Sequence, residues 1–479
     1  MNRSPVERES FKGKKVTVMG LGLFGGGVGA VRYLASQGAD VTVTDLKSAE
    51  ELSASLKRIG KLPVKLKLGK HDKEDFVNVD MLVVSPAVPD DSKFLEIAFK
   101  NNIRIDSELS IFFRHCPAPI IGITGSNGKS TTTSLLGEML KEAGIKTWVG
   151  GNIGVSLLEN LDEIKPDDVV VLEISSFQLE YLARIKMSPH ISIVTNIAPN
   201  HLDRHKTMEN YIGTKKAIVH YQQEDDYAIL NYDDPTLKKW EGESKGRHLW
   251  FSITKELEHG TFLKNNEIII NHNSTRTVIP CSTQINIKGT HNWQNIMAAS
   301  YVATLMHANV ESIKNAIIGF TGLEHRLEYV HTINEVQYYN DSKATTPEAA
   351  MAGIKAFDSP TILIAGGYDK QVSLHQFAQE CVRNTKCVIL IGETAKAIQK
   401  LIQDIKGKII DPEVYIAASL EESVKKASEV AEPGDTVLLS PACASFGMFA
   451  NYEERGKGFK ALVSQLDTNE HARMQTNIT

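Results

Sequence analysis

The 479-residue chain is long enough for about three domains of ordinary size, and 42% hydrophobic with 23% charged residues excludes the disordered, collagen-like and coiled-coil classes. Lys and Arg number 53 against 58 Asp and Glu, a net charge of -5 without any dense basic block. That balance argues against a nucleic-acid partner and for small-molecule ones. Five cysteines without a C-x-x-C offer no zinc knuckle or dithiol pair, so free thiols in a reducing compartment are expected. The polar N-terminus lacks a signal-type apolar stretch, and no apolar run is long enough to span a membrane. A cytoplasmic protein, monomeric, is the expectation.

In chain order, apolar runs fall at 14–19, 40–44 and 81–85, then at 120–124, 169–174 and 191–196, and finally at 361–365, 388–391 and 436–440. Continuous apolar runs alternating with helical stretches are the pattern of parallel strands covered on both faces. The expected fold is α/β in three domains. A Rossmann-like domain takes residues 1–116, a central P-loop mononucleotide-binding domain 117–322, and a second Rossmann-like domain 323–479. The stiff Cys116-Pro-Ala-Pro119 marks the first boundary and Gly322 the second. Short alternating segments between 227 and 288 suggest an extra small antiparallel sheet on the central domain. The polar tail after Asp467 is expected to fray.

Gly20-Leu-Gly22-Leu-Phe-Gly25 follows the first strand, and Asp45 ends the second. Glycines there let a backbone approach a pyrophosphate, and the acid suits a ribose hydroxyl, as in dinucleotide or nucleotide-sugar folds. The further glycines Gly26, Gly27 and Gly29 make it a poor dehydrogenase fingerprint. Gly122-Ile-Thr-Gly125-Ser-Asn-Gly128-Lys129-Ser130 is a stronger signal, because it follows a strand and opens a helix. Amides of such a loop cradle phosphates, the lysine meets the β- and γ-oxygens, and the serine hydroxyl can reach Mg2+. The usual first glycine of that spacing is Ile123 here. ATP or GTP is the expected ligand.

Glu173 ends an apolar strand, where a carboxylate reaches the sheet edge beside phosphates, or alternatively caps the next helix. His201, in Asn200-His-Leu-Asp-Arg204, follows another strand to the same edge. Gly151-Asn-Ile-Gly154 and His291-Asn-Trp-Gln-Asn295 supply amides for substrate carbonyls or an adenine edge, or simply for capping.

Together these residues resemble the Mur ligase family, in order and over nearly the whole chain. The landmarks are Thr124-Gly-Ser-Asn-Gly-Lys-Ser130, Glu173-Ile-Ser-Ser-Phe-Gln178, His201-Leu-Asp-Arg204, Glu324-His-Arg326, Asn340-Asp-Ser-Lys-Ala-Thr345 and Gly366-Gly-Tyr-Asp-Lys370. Ser440-Pro-Ala-Cys-Ala-Ser445, continued by Phe449-Ala-Asn-Tyr-Glu-Glu-Arg-Gly456, resembles the branch that adds D-glutamate. The resemblance implies phosphorylation of the carboxylate of UDP-MurNAc-L-Ala by ATP and attack of the D-glutamate amine on the acyl phosphate, in the cytoplasmic stage of peptidoglycan synthesis.

The residue roles that follow belong to the resemblance. Lys129, Glu173, His201, Lys215 and Lys343 form the catalytic set. ATP is met by Gly125, Ser126, Asn127, Gly128, Lys129, Ser130, Thr131, Asn295, Arg326, Asp341 and Lys343. Leu23, Phe24, Asp45, Leu46, Lys47, Ser85, Asn152, Ser175 and Gln178 face the UDP substrate, and Thr345, Lys370, Ser445, Phe446 and Tyr452 face D-glutamate. Two Mg2+ ions are held by Ser130, Glu173, His201 and Lys215, the last carrying a CO2-derived carbamate. Tyr211-Ile-Gly-Thr-Lys215 carries the family's spacing for that lysine, and neighbouring Lys216 leaves a one-residue ambiguity. Ala87, Thr346 and the Asp45-Leu-Lys47 stretch depart from the family's usual residues. Other Mur-type or folylpolyglutamate-type ligases, and a noncatalytic nucleotide switch, are the alternatives.

Overall fold

The computed structural model describes residues 9–22, 25–153, 156–280, 285–287, 289–369, 372–407 and 412–476, with backbone alone for residues 203 and 467–476. Leu23, Phe24, Lys370 and Cys281 lie outside these residues. The chain forms two compact units, one of residues 1–283 and 293–317, the other of residues 284–292 and 318–479.

The first unit contains two sheets. Strands β1 (Lys15–Met19), β2 (Asp40–Asp45), β3 (Lys65–Leu68), β4 (Met81–Val84) and β5 (Arg104–Asp106) make an all-parallel sheet in the order β3-β2-β1-β4-β5. Because β1 lies at the middle, its carboxyl end abuts those of β2 and β4. Gly20, Asp45 and Ser85 therefore meet at one edge.

The second sheet has nine strands: β6 (Ile120–Thr124), β7 (Thr147–Gly151), β8 (Val169–Glu173), β9 (Ile191–Val194), β10 (Tyr227–Asn231), β11 (Arg247–Ser252), β12 (Gly260–Lys264), β13 (Glu267–His272) and β14 (Thr275–Pro280). Their order is β14-β13-β12-β11-β10-β9-β6-β8-β7. The antiparallel strands expected within residues 227–288 are present as β12, β13 and β14, but they do not form a sheet of their own. These strands extend the same sheet, and β10 and β11 run parallel to β9. The helices Met208–His220 and Pro235–Lys238 carry the chain back for parallel pairing, and the buried run Tyr227–Asn231 suits an interior strand. Among the described residues of this sheet, only β12, β13 and β14 form antiparallel pairs.

The second unit holds β15 (Glu328–Ile333), β16 (Val336–Asn340), β17 (Thr361–Gly366), β18 (Cys387–Ile391), β19 (Glu413–Ile416) and β20 (Thr436–Leu439), ordered β15-β16-β20-β17-β18-β19. Strands β16, β20 and β17 are parallel neighbours, so the loops that follow them leave the same edge side by side. Ile362, Leu363, Ile364, Val437, Leu438 and Leu439 are buried on both faces of this sheet, as continuous apolar runs require.

All nine apolar runs picked from the sequence are strands, to within a residue or two at their ends. The tail expected to fray instead continues the helix Tyr452–Thr476. Cys116, Cys381, Cys387 and Cys443 are free and buried. No helix among the described residues is long and apolar enough to cross a membrane.

Candidate active site

Strand β6 sits between β8 and β9, with Ile123 paired to Glu173 and Thr124 to Val194. The phosphate loop, Glu173 and the segment leading to His201 consequently emerge together at the carboxyl edge, where open α/β sheets bind ligands. Ile123, at the usual first-glycine position, belongs to the strand, so the loop proper starts at Gly125. Its φ of 149° and a Cβ that would fall 1.9 Å from Thr195 Oγ1 leave room for glycine alone. Gly128 caps the helix Lys129–Glu142 at φ 82°, where a Cβ would lie 2.3 Å from Asn295 Oδ1.

The loop is bound on its outer side by residues that motif spacing does not reveal. Asn196 accepts from the Ser126 amide through its carbonyl at 2.9 Å and from the Asn127 amide through its side chain at 3.0 Å. Thr195 Oγ1 donates to Asn127 O at 2.5 Å. Ser126 Oγ lies 2.9 Å from the Tyr211 hydroxyl and donates to Ala198 O. Ser126 is thus a brace within the loop, and the Tyr211 phenol, pushed up to about 12 by burial, remains protonated there. Asn295, expected at adenine, packs its carboxamide against Gly128 and accepts from Thr132 Oγ1 at 3.2 Å.

Two lysines converge on one carbonyl. Lys129 Nζ donates to Gly125 O at 3.0 Å and Ser126 O at 3.1 Å, while Lys215 Nζ donates to Gly125 O at 3.0 Å and Thr124 Oγ1 at 3.1 Å. Lys215 is 1% exposed. Burial, reinforced by the Lys129 charge and opposed by Glu173, holds its pKa well below the ordinary lysine value. Lys216 instead pairs with Glu243 at 2.9 Å, so Lys215 is the lysine at the loop.

Glu173 is 2% exposed, its Oε1 accepting from Asn152 Nδ2 at 2.8 Å, and its Oε2 is buried without a hydrogen-bond partner. A buried carboxylate oxygen left unpaired is costly, and a bound cation is one way to satisfy it. Glu173 does not cap the next helix. Ser175 does so, in a capping box with Gln178, so these two residues, expected at the UDP substrate, are committed to the helix start. His201 is solvent-exposed in the left-handed region at φ 53°, beside the Phe177 ring at 5.0 Å. Ser130 and Thr131 occupy the first helical turn and are buried. Among the described residues no three His, Cys, Asp or Glu side chains form a metal cluster. Of the residues expected at a metal, Glu173 offers the buried, unpaired Oε2 that a hard cation such as Mg2+ would satisfy, while Lys215 as an amine donates hydrogen bonds and supplies no oxygen.

At the first sheet, Asp45 turns inward from the position expected for a ribose contact. Its Oδ2 accepts from the Leu21 and Gly22 amides at 2.8 and 3.2 Å, and Oδ1 from the Lys47 amide at 2.9 Å, so it organises the loop. Leu46 and Lys47 are exposed beside it. Gly20 is required because a Cβ would lie 2.9 Å from that of Ser85.

In the second unit Asp341 is likewise internal. It accepts from Ser440 Oγ at 2.7 Å and the Leu327 amide at 3.2 Å, and burial pushes its pKa up to about 7. Arg326 lies between His325 and Leu327, both with positive φ, and its Nη1 is buried without a partner. Backbone strain of this kind is stored where side-chain aim matters. Lys343 Nζ lies 5.8 Å from the Tyr452 ring centroid, and Thr345 donates its amide to Lys343 O. Ser445 is buried, while Phe446 is exposed against Tyr368. The Gly366 and Tyr368 amides donate to Pro441 O and Ala444 O, drawing the loop after β17 alongside the one after β20.

Comparison with known proteins agrees with this arrangement. Residues 14–107 match the Mur ligase MurD-like N-terminal domain, 123–303 the Mur ligase middle domain, and 325–443 the Mur ligase glutamate ligase domain. The chain is 45% identical over 455 residues to the UDP-N-acetylmuramoylalanine–D-glutamate ligase of Thermoanaerobacter sp., covering 95% of this chain and 99% of that protein. It is 42% identical over 463 residues to the ligase of the same name from Roseiflexus sp., covering 94% and 98%. In fold it is similar to the UDP-N-acetylmuramate-alanine ligase MurC from Thermotoga maritima, with a TM-score of 0.60 at 18% identity, covering 95% of this chain and 100% of that one. A pseudomurein peptide ligase type C from Methanothermus fervidus gives 0.57 at 18%, covering 95% and 100%. With whole-length identity of this order on top of the three matching domains, the chain belongs to the Mur ligase family, among its UDP-N-acetylmuramoylalanine–D-glutamate ligases.

Proposed function

We propose that the protein joins D-glutamate to UDP-MurNAc-L-Ala at the expense of ATP, as a step of peptidoglycan synthesis. What supports this most is the meeting of phosphate loop, Glu173 and Lys215 at one sheet edge in a chain that belongs to this family.

A carboxylate is a poor acyl donor because its leaving group would be oxide. Transfer of the ATP γ-phosphoryl group to a carboxylate oxygen replaces that leaving group with phosphate and releases ADP. The D-glutamate amine then attacks the acyl carbon, and the tetrahedral intermediate collapses to amide and phosphate with loss of the amine proton. Such chemistry is driven by positioning and by cancelling charge as it develops. The amides of Gly125 and of Gly128 to Thr131, with the Lys129 ammonium, serve the phosphates, while Asn196 holds the Ser126 and Asn127 amides and so shapes the loop. Arg326, Asp341, Lys343 and Asn295 form the rest of the nucleotide's contacts. Glu173, Ser130, His201 and a carbamylated Lys215 would hold Mg2+, which when bound neutralises phosphate charge. Lys215 suits carbamylation because burial lowers its pKa and so raises the share of neutral amine, the only form that attacks CO2. Its nitrogen forms the new C–N bond and gives up a proton, and the carbamate oxygens would supply the metal ligands that an amine lacks. Asp45, Leu46, Lys47, Ser85, Leu23, Phe24 and Asn152 take the UDP substrate. Ser175 and Gln178 act on it through the helix they cap. Thr345, Lys370, Ser445, Phe446 and Tyr452 receive D-glutamate.

Phosphate release will be measured with ATP, UDP-MurNAc-L-Ala and, separately, D-glutamate, L-lysine, meso-diaminopimelate or L-alanine. Release with D-glutamate alone among these acceptors is expected. Comparable release without any acceptor, or with another acceptor instead, overturns the proposal.

A further inference from the structure

Arg455, in the first turns of the helix Tyr452–Thr476, is the most deeply buried Lys or Arg among the described residues of the second unit, at 1% exposed. Buried arginines ordinarily face a carboxylate, because desolvating the guanidinium is costly. Among the described residues this one spends its donors on one hydroxyl and two backbone carbonyls. Nε donates to Ser342 Oγ at 2.9 Å, Nη2 to Ser342 O at 2.9 Å, and both Nη1 and Nη2 to Cys443 O at 3.3 Å. Burial lowers its pKa to about 10, which still leaves it charged at neutral pH. Ser342 Oγ in turn donates to Tyr452 O at 2.8 Å.

The gripped atoms are informative. Ser342 lies three residues before Thr345, Cys443 two before Ser445, and Arg455 itself three after Tyr452. Each end of the fork therefore holds backbone next to a residue assigned above to D-glutamate. One of these segments is strained, since Ala442 sits at φ 61° without being glycine. A rigid, planar fork can fix two carbonyls at once in a way that a single ammonium cannot.

Building on the proposed function, we infer that Arg455 is the positioning residue of the D-glutamate pocket, setting the loops after β16 and β20 and the start of the last helix in register for the acceptor. The Asp341 carboxylate, one residue before Ser342, has its own anchors in Ser440 and the Leu327 amide, so this nucleotide contact does not hang on the fork.

The test is steady-state kinetics of Arg455→Lys and Ser342→Ala in the full chain, with thermal unfolding as a check on folding. Arg455→Lys keeps the charge and loses the fork, and Ser342→Ala removes one of its acceptors. The KM for D-glutamate is expected to rise roughly tenfold in Arg455→Lys and about threefold in Ser342→Ala, a size typical of losing charged hydrogen bonds, with the KM values for ATP and UDP-MurNAc-L-Ala within about twofold of the unchanged protein. An unaltered D-glutamate KM, or three KM values rising together, overturns the inference. Should Arg455→Lys lose cooperative unfolding, Ser342→Ala decides alone. Failure of the proposed function is seen separately, as an unchanged protein that releases no phosphate with D-glutamate.

Discussion

Replacing Lys215 by methionine will lower turnover about a thousandfold, the scale of removing a group that stabilises transition-state charge, yet leave the unfolding temperature near neutral pH at or above that of the unchanged chain. The two effects have one origin. Lys215 is buried against Gly125 O and Thr124 Oγ1, with the Lys129 ammonium bonded to the same Gly125 carbonyl. Folding therefore lowers its pKa well below the ordinary 10.5. Between the lowered native value and 10.5 the unfolded chain binds the extra proton, so stability rises with pH across that window. The penalty is fully present below the native pKa and vanishes above the unfolded one. Methionine fills similar volume without a charge to desolvate, and such replacements are often neutral or stabilising. Thermal unfolding over a pH series, in buffer free of bicarbonate and Mg2+, reads the slope, which the substitution should flatten. A methionine variant that keeps wild-type activity would remove Lys215 from the proposed metal ligands. In the unchanged chain, isotope-labelled CO2 should give a carbamate NMR signal that the variant lacks.

Gly125→Ala carries the second large effect. Its Cβ would meet Thr195 Oγ1 at 1.9 Å, the atom that ties the loop to β9 by donating to Asn127 O. A φ of 149° adds backbone strain for any side chain. Strain and clash together should cost about 3 kcal/mol or more in unfolding free energy, with ATP affinity falling in parallel as the loop shifts. Gly144→Ala is the control: at φ 75° with nothing within 4 Å of its Cβ, it should cost only about 1 kcal/mol and leave ATP binding alone. Chemical denaturation and nucleotide titration distinguish the two. Equal costs would mean that the close approach to Thr195 is unimportant.

The strands legible in the sequence were those buried on both faces, such as Val169–Glu173 and Thr361–Gly366, where burial demands an uninterrupted apolar run. Lys65–Leu68, at a sheet edge and reading Lys-Leu-Lys-Leu, carries no such run and escaped notice. Tyr227–Asn231 and Arg247–Ser252 were misjudged in direction, because pairing sense depends on the crossover helices between strands more than on the strands themselves. At the site, the phosphate loop and Glu173 were legible because strand ends and glycine spacing encode them locally. Ser175-Ser-Phe-Gln178 carries a readable local signal as well, the S-x-x-Q capping box that the structure forms. The orienting bond from Asn152 to Glu173, the Thr195 and Asn196 braces, and the grip of Arg455 on Ser342 and Cys443 join residues distant in sequence. Such contacts are created by sheet order and leave no local pattern.

The most direct test of the acyl-phosphate account follows the substrate's own oxygen. UDP-MurNAc-L-Ala carrying heavy oxygen in its alanyl carboxylate is incubated with the protein, ATP, Mg2+ and D-glutamate, and the released phosphate is analysed by mass spectrometry. One heavy oxygen atom should appear in the inorganic phosphate for every amide bond formed, with the other kept in the amide. Amide formed with unlabelled phosphate would contradict transfer of the phosphoryl group to the carboxylate, and with it the role given to the loop around Lys129.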